Sequence, residues 1–234
     1  MERTKSAPVT SVSSSGALST PARAGELAQR LLPAIQATGG RAVYVDCNAI
    51  APQTVTAIAA PFEAADLAFV DAGIVGGPPS ADLNPRIYAS GPHAEAFARL
   101  NDFGLDIPVL SERIGDASAL KMAYAGTTKG SSAVMAAMML GAARAGVAEA
   151  FVAEMKSSQA GKLEAAVRQL PGVLRKAYRW DGEMEEIARF LLPETGGAGM
   201  FNGAAQLYRD LASDVAAGED SERMRLLEEI KRCM

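Results

Sequence analysis

The stretch Gly115-Asp-Ala-Ser-Ala-Leu-Lys121-Met-Ala-Tyr-Ala-Gly-Thr-Thr128-Lys129-Gly130 opens a run of small and apolar residues that continues to Ala145. Such a run predicts a long helix. At about 100° per residue, one stripe of this helix holds Lys121, Ala125, Thr128 and Ser132. Three of these four residues are polar, and a polar stripe on an apolar helix lines either an active site or water. A lysine there loses water or gains a partner, and either change makes it a useful proton donor or acceptor.

The composition argues against several classes of protein. The 234 residues carry a net charge of −4, so there is no excess of basic residues for nucleic acid. The two cysteines, Cys47 and Cys233, are far apart and indicate neither a disulfide framework nor a metal site. The most apolar run, residues 133–143, is about half the ~20 residues that a bilayer-spanning helix needs. The sequence predicts a reduced, cytoplasmic protein without nucleic-acid or membrane partners.

The first 20 residues are rich in Ser, Thr and Ala and contain Arg3, Lys5 and one acid, Glu2. This composition is that of a weak transit peptide, which would make the protein mitochondrial. The alternative, which we favour, is an incomplete domain start with a short strand over residues 7–12.

The first half of the chain alternates between short apolar runs, which predict strands, and amphipathic segments, which predict helices. Besides residues 7–12, the predicted strands cover residues 41–46, 65–71, 86–90 and 107–110. The predicted helices cover residues 22–38, 52–60 and 92–100. Strands that alternate with helices predict a parallel α/β sheet.

The second half contains no convincing strand and predicts an all-α unit. Its predicted helices cover residues 117–145, 147–157, 160–170, 173–192, 200–217 and 219–232, with breaks at Pro171-Gly172, Pro193 and Gly196-Gly197. We therefore expect an α/β domain over residues 1–114 and a helical domain over residues 115–234.

A glycine-rich phosphate turn is missing from the sequence. A doubly wound nucleotide-binding domain begins with a strand, a G-x-G-x-x-G turn and a helix. No such motif precedes the first predicted helix, and Gly196-Gly-Ala-Gly199 follows a helix and is interpreted as a linker. We expect this chain to bind a dinucleotide weakly or not at all.

Three motifs occur in an order that resembles the β-hydroxyacid dehydrogenases, the family of 3-hydroxyisobutyrate and 6-phosphogluconate dehydrogenases. They are Val43-Tyr-Val-Asp46-Cys-Asn48-Ala-Ile-Ala-Pro52, Phe69-Val-Asp71-Ala-Gly-Ile-Val-Gly76-Gly77-Pro, and Gly115-x5-Lys121. Lys129-Gly130 and Arg179-Trp180-x-Gly-Glu183-Met-Glu-Glu-Ile187 resemble a branch with a helical C-terminal domain of unknown function. The resemblance covers roughly residues 9 to 210.

This resemblance implies a partial Rossmann-like sheet, N-terminally incomplete, followed by a 6-phosphogluconate dehydrogenase C-terminal-like helical domain that forms a homodimer. It implies oxidation of a small hydroxyacid or alcohol with NAD or NADP. By this comparison Lys121 matches the catalytic acid/base lysine, and Ser11, Val12 and Ser13 follow the strand where the nicotinamide ring would sit.

The resemblance also implies substrate-binding residues. Asn48 matches a small polar residue that helps to hold the substrate. Gly76 and Gly77 match paired glycines whose N–H groups approach the substrate carboxylate, which the absence of a Cβ allows. The family often has Asn one turn after the lysine, where this chain has Ala125; Thr128 is the proposed replacement.

Each of these residues has a structural alternative. Lys121 could be an ordinary helix lysine, Asn48 part of a strand-closing turn, and Gly76 and Gly77 a plain turn. A non-catalytic remnant that acts only through its helical dimerisation domain is the alternative function.

Other polar and aromatic residues favour structural roles. Asp46 and Asp71 are interpreted as turn or cap groups, and the acidic run Glu183, Glu185 and Glu186 as a solvated face. Trp180 and Met184, four apart on a helix, are expected in the core or a dimer contact.

Overall fold

The computed structural model describes residues 21–39, 41–80, 83–218 and 221–234. The chain forms two compact units, with the boundary between Tyr124 and Ala125. The predicted strand over residues 7–12 and the candidate cofactor residues Ser11, Val12 and Ser13 lie outside the described residues.

The first unit alternates helices and strands. In chain order its elements are α1 (Pro21–Gln36), β1 (Tyr44–Asp46), α2 (Pro52–Ala64), β2 (Phe69–Val75), β3 (Arg86–Ser90), α3 (Ala94–Ala98), a 3₁₀ turn (Arg99–Phe103), β4 (Val109–Ser111) and α4 (Asp116–Ala125). The predicted strand 86–90 is observed at those bounds, whereas the strand predicted at 65–71 lies at Phe69–Val75.

The sheet has the order β1-β2-β3-β4. β1 pairs with β2, and β3 with β4, in parallel, but β2 and β3 are antiparallel. The predicted parallel α/β sheet is confirmed as a mostly parallel one, and only this central pair is antiparallel. A parallel connection needs a crossover of about a dozen residues, usually a helix, and no helix is described between Val75 and Arg86.

Apolar side chains cover both faces of this sheet. On one face Tyr44, Phe62 and Phe69 form a buried aromatic cluster, with ring centroids 4.8–5.4 Å apart. Such aromatic pairs stabilise a core beyond the area that they bury. On the other face Phe97 and Ile107 belong to a second buried cluster. These clusters make the sheet a rigid support for the loops at the ends of its strands.

The second unit is helical throughout its described residues, apart from short turns. It comprises a π-helical turn (Gly126–Gly130), α5 (Ser131–Arg144), α6 (Ala148–Ser158), α7 (Ala160–Phe190), α8 (Thr195–Ala217) and α9 (Glu222–Arg232). None of the helices in the described ranges has the length and apolar character needed to cross a membrane.

Two predicted breaks in this unit were wrong. Pro171 lies inside the continuous helix α7, where its neighbours Leu170 and Val173 are buried. Burial of these side chains offsets the cost of an internal proline, about 3 kcal/mol. The glycines at 196–199, interpreted as a linker, form the first turns of α8.

Candidate functional site

Lys121 lies on α4 and is half-buried. Its Nζ donates a hydrogen bond of 2.6 Å to the carbonyl oxygen of Ile74, near the end of β2. A carbonyl group orients the amine without carrying a full opposite charge. The lysine predicted as acid/base is therefore fixed at the point where β2 leads into the glycine turn.

Gly76 and Gly77 form an exposed turn directly after β2. Gly76 has a φ of 127°, which disfavours any side chain, and a Cβ there would lie 3.3 Å from Pro85. A groove of about 350 Å³ beside Gly76 is lined by Leu120 and Tyr124 of α4, among others. Lys121 does not line this groove, although it contacts the strand that ends there.

Asn48 lies in the loop after β1. Its backbone N–H and its side-chain amide both donate to Asp46 Oδ1, at 2.9 and 2.8 Å. This is the strand-closing turn that the structural alternative predicted, except that Asp46 supplies the accepting oxygen. The substrate-binding role of Asn48 stays a prediction.

Asp46 and Asp71 are buried and face each other in the parallel register of β1 and β2. Burial raises the pKa of Asp71, and hydrogen bonds from Ser118, Ser90 and Gly115 oppose this rise. Burial also raises the pKa of Cys47, to about 12, and both carboxylates add to that effect. The thiol of Cys47 is therefore protonated at neutral pH and is a poor nucleophile.

Asp46 gives the unit a pH dependence of defined sign. Burial raises the pKa of its carboxyl, and the hydrogen bonds from Asn48 oppose this rise. An acid whose pKa is raised on folding contributes stability that is full below its unfolded pKa, about 4, and is lost as the pH rises through the folded value. Asp46→Asn keeps an acceptor for Asn48 and removes the ionisation.

We expect Asp46→Asn to lose less stability than the wild type as the pH rises above about 4. The measurement is the urea midpoint at several pH values, with the exposed Asp102→Asn as the matched control. If the urea midpoints of the wild type and Asp46→Asn change with pH in the same way, Asp46 is not the source of the pH dependence.

The predicted polar stripe does not continue as a regular α-helix into the second unit. Thr128 belongs to the π-helical turn Gly126–Gly130, where about 100° per residue no longer applies. The turn packs against an aromatic ring: a Cβ on Gly126 or Gly130 would lie 3.2 or 2.8 Å from Phe201. The Thr128 hydroxyl donates to the carbonyl of Ala125 at 3.2 Å. Its substrate role stays a prediction.

Lys129, on the same π turn, forms an ion pair with Glu183 of α7. Its Nζ lies 5.6 Å from the ring centroid of Trp180, and its carbonyl accepts a 2.6 Å hydrogen bond from the Tyr208 hydroxyl. Glu183 Oε1 is buried and has no hydrogen-bond partner among the described residues.

The interpretation of the acidic run as a solvated face was wrong for Glu183 and Glu186, which are 7% and 8% exposed. Glu183 pairs with a lysine that is distant in sequence, and no local sequence pattern predicts such a pair. Met184 is fully buried in the core, as predicted.

Known proteins match both units. Residues 17–104 match the NAD binding domain of 6-phosphogluconate dehydrogenase, and residues 142–211 match a domain of unknown function, DUF1932. A solved structure of the conserved protein MTH1747, described as of unknown function and structurally similar to 3-hydroxyacid dehydrogenases, is 32% identical. The match covers 82% of this chain and 72% of MTH1747, with a TM-score of 0.61.

The chain belongs to the β-hydroxyacid dehydrogenase family. It falls in the branch with the DUF1932 helical domain. A conserved hypothetical protein from Sinorhizobium meliloti 1021 shares the fold at 23% identity and a TM-score of 0.69, covering 97% of this chain and 75% of its own. Mycobacterium tuberculosis 3-hydroxyisobutyrate dehydrogenase with L-serine also shares the fold, at 16% identity and a TM-score of 0.58. The match covers 88% of this chain and 76% of that protein. No match was found among curated proteins.

The family's dinucleotide needs a site for its pyrophosphate, which this fold builds from a glycine turn and a helix N-terminus. Within the described ranges, the N–H groups that begin α4 already bond to Asp71 and Ser90. Helix α2 begins with Pro52, which has no N–H group. The start of α4 is therefore occupied by Asp71 and Ser90 and does not offer these N–H groups to a pyrophosphate.

Proposed function

We propose that this chain supplies the substrate-binding and proton-transfer groups of an NAD(P)-dependent dehydrogenase that acts on a small β-hydroxyacid or a related alcohol. Membership of the β-hydroxyacid dehydrogenase family supports the reaction class. The observation that carries the assignment is the position of Lys121, whose Nζ bonds to the Ile74 carbonyl, two residues before Gly76.

The chemistry at Lys121 is proton transfer at the substrate hydroxyl. During oxidation the amine takes the hydroxyl proton, and during reduction the ammonium returns it. The Ile74 carbonyl accepts a hydrogen bond from either form, so the nitrogen keeps its place through the cycle.

The other predicted residues hold the substrate in this proposal. The N–H groups of Gly76 and Gly77 bind the carboxylate, since no side chain blocks their approach. The amide of Asn48 binds a remaining polar group of the substrate, and the part proposed for the Thr128 hydroxyl stays a prediction.

The first test combines a calorimetric titration with a turnover screen of the purified chain. We expect NAD and NADP to bind more weakly than about 1 μM because no G-x-G-x-x-G turn precedes the first helix and the first N–H groups of α4 already bond to Asp71 and Ser90. At millimolar cofactor, we expect one or more small β-hydroxyacids to give an absorbance increase at 340 nm. Sub-micromolar binding would contradict the first expectation, and no turnover with any substrate would contradict the second.

A second candidate function, a non-catalytic protein that acts through a helical dimer, is favoured by the surface of the second unit. Val134, Met138 and Met200 are 52%, 54% and 66% exposed. They line an apolar groove of about 610 Å³, and exposed apolar patches of this kind mark interaction surfaces. A dimer by sedimentation together with no turnover in the screen would favour this candidate.

A further inference from the structure

Strand β2 holds helix α4 at three points, all within the first unit. At the first, the Asp71 carboxylate accepts hydrogen bonds from the N–H groups of Gly115 and Ser118, both at 3.0 Å, and from the Ser118 hydroxyl at 2.7 Å. The N–H groups at the start of a helix have no partner inside it, and a carboxylate accepts strongly from them. Asp71 thus caps α4 from a neighbouring strand.

Ser90 extends this cap from the next strand. Asp71 and Ser90 are direct partners in the register of β2 and β3. The Ser90 hydroxyl donates to Asp71 at 3.0 Å and accepts from the N–H group of Ala117, also at 3.0 Å. Both side chains are buried. One cross-strand pair therefore binds three N–H groups at the start of α4.

The second and third points lie further along β2. A Cβ on Gly73 would lie 2.8 Å from the carbonyl oxygen of Ala117 and 3.0 Å from the Cβ of Lys121. The backbone oxygen cannot rotate away, so the close approach depends on glycine. One residue on, the Ile74 carbonyl accepts the hydrogen bond from Lys121 Nζ.

The contacts between β2 and α4 are spaced by nearly the same distance along the strand as along the helix. From Asp71 to Ile74 a strand advances by about 10 Å, and from Gly115 to Lys121 a helix advances by about 9 Å. Asp71 contacts the start of this helical segment and Ile74 contacts its end, so the two elements run in the same direction. The cap therefore determines which atom of β2 Lys121 Nζ reaches.

We propose that Asp71 is a positioning residue for Lys121 and acts through Ser90 and the first turn of α4. This inference rests on the proposed acid/base role of Lys121. A displacement of about 1 Å in a reacting group lowers turnover by up to about 10²-fold. Asp71 contacts no substrate in this account, so loosening the cap lowers kcat and leaves KM nearly unchanged.

The test compares Ser90→Ala and Asp71→Asn with the control Ser111→Ala, whose hydroxyl bonds to Asp116 of the same helix at 2.6 Å but not to β2. We expect Ser90→Ala to lower kcat about 10-fold, change KM less than about 2-fold, and speed amide exchange at Ala117. Ser111→Ala should change kcat less than about 2-fold. Ser90→Ala keeps the Asp71 carboxylate and its bonds to Gly115 and Ser118, and so stays measurable where Asp71→Asn fails to fold.

A double variant separates positioning from a general loss of structure. With Lys121→Met already present, Ser90→Ala should lower kcat by less than about 2-fold more, because both changes act on the same step. A further 10-fold loss of kcat in the double variant would overturn the positioning role. So would a Ser90→Ala variant whose kcat equals that of the wild type while Lys121→Met is impaired. Full turnover in Lys121→Met would instead overturn the proposed function itself.

Discussion

Replacing Lys121 by methionine is expected to lower kcat by about 10²–10⁴-fold, the range for loss of a positioned acid or base. Methionine matches the length and apolar character of the lysine stem, so α4 keeps its packing against Gly73. The free energy of unfolding should therefore change little. Steady-state kinetics with the hydroxyacid found in the screen measures the first effect, and urea unfolding the second.

The matched control is Lys162→Met, which removes an exposed lysine of α7. We expect its turnover to equal that of the wild type. Normal turnover in Lys121→Met as well would make Lys121 an ordinary helix lysine, the structural alternative that the sequence left open.

Replacing Lys129 by methionine is expected to lower the free energy of unfolding of the helical unit by about 3–5 kcal/mol. The side chains of Lys129 and Glu183 are 21% and 9% exposed, so the variant leaves a buried carboxylate without its counter-ion. Glu183 Oε1 already lacks a partner among the described residues, which leaves no other bond to compensate. Trp180, the single tryptophan, lies beside this pair, so its fluorescence reports unfolding of this unit.

The double variant Lys129→Met/Glu183→Leu removes both charges and should recover most of the lost stability, because well-packed apolar residues can replace a buried ion pair. Lys162→Met serves again as the exposed control, with an expected change below about 0.5 kcal/mol. If the free energy of unfolding of Lys129→Met equals that of Lys162→Met, the ion pair of Lys129 with Glu183 does not stabilise the helical unit.

The fold was predictable wherever the local pattern decides the structure. The strand at Arg86–Ser90 has clear flanking signals and was predicted at its observed bounds. β2 was placed four residues too early because residues 65–68 look as strand-like in sequence as residues 69–71. In the structure α2 extends to Ala64, and Asp66 adopts a left-handed turn with a φ of 53°. Gly73 also weakens the strand pattern in the sequence. A glycine is needed at this position because α4 approaches the strand closely, which the local sequence does not reveal.

The sequence proposes residues for the candidate site but not the contacts that support them. Lys121 stands out in the sequence as a lysine in an apolar helix, and Gly76 and Gly77 stand out through the resemblance to a known family. The cap formed by Asp71 on α4 and the ion pair of Lys129 with Glu183 join residues 44 to 54 positions apart. Helix and strand periodicity describe only near neighbours, so such pairs need the fold.

Chemical rescue tests the central claim, proton transfer by Lys121, most directly. Lys121→Ala removes the amine and leaves space beside the Ile74 carbonyl, into which a small amine such as methylamine can enter. We predict that turnover of this variant rises with amine concentration and, across a series of amines of equal size, with their basicity. Turnover that stays at the background level at every amine concentration, while the wild type is unaffected, would contradict the assignment of Lys121 as the acid/base.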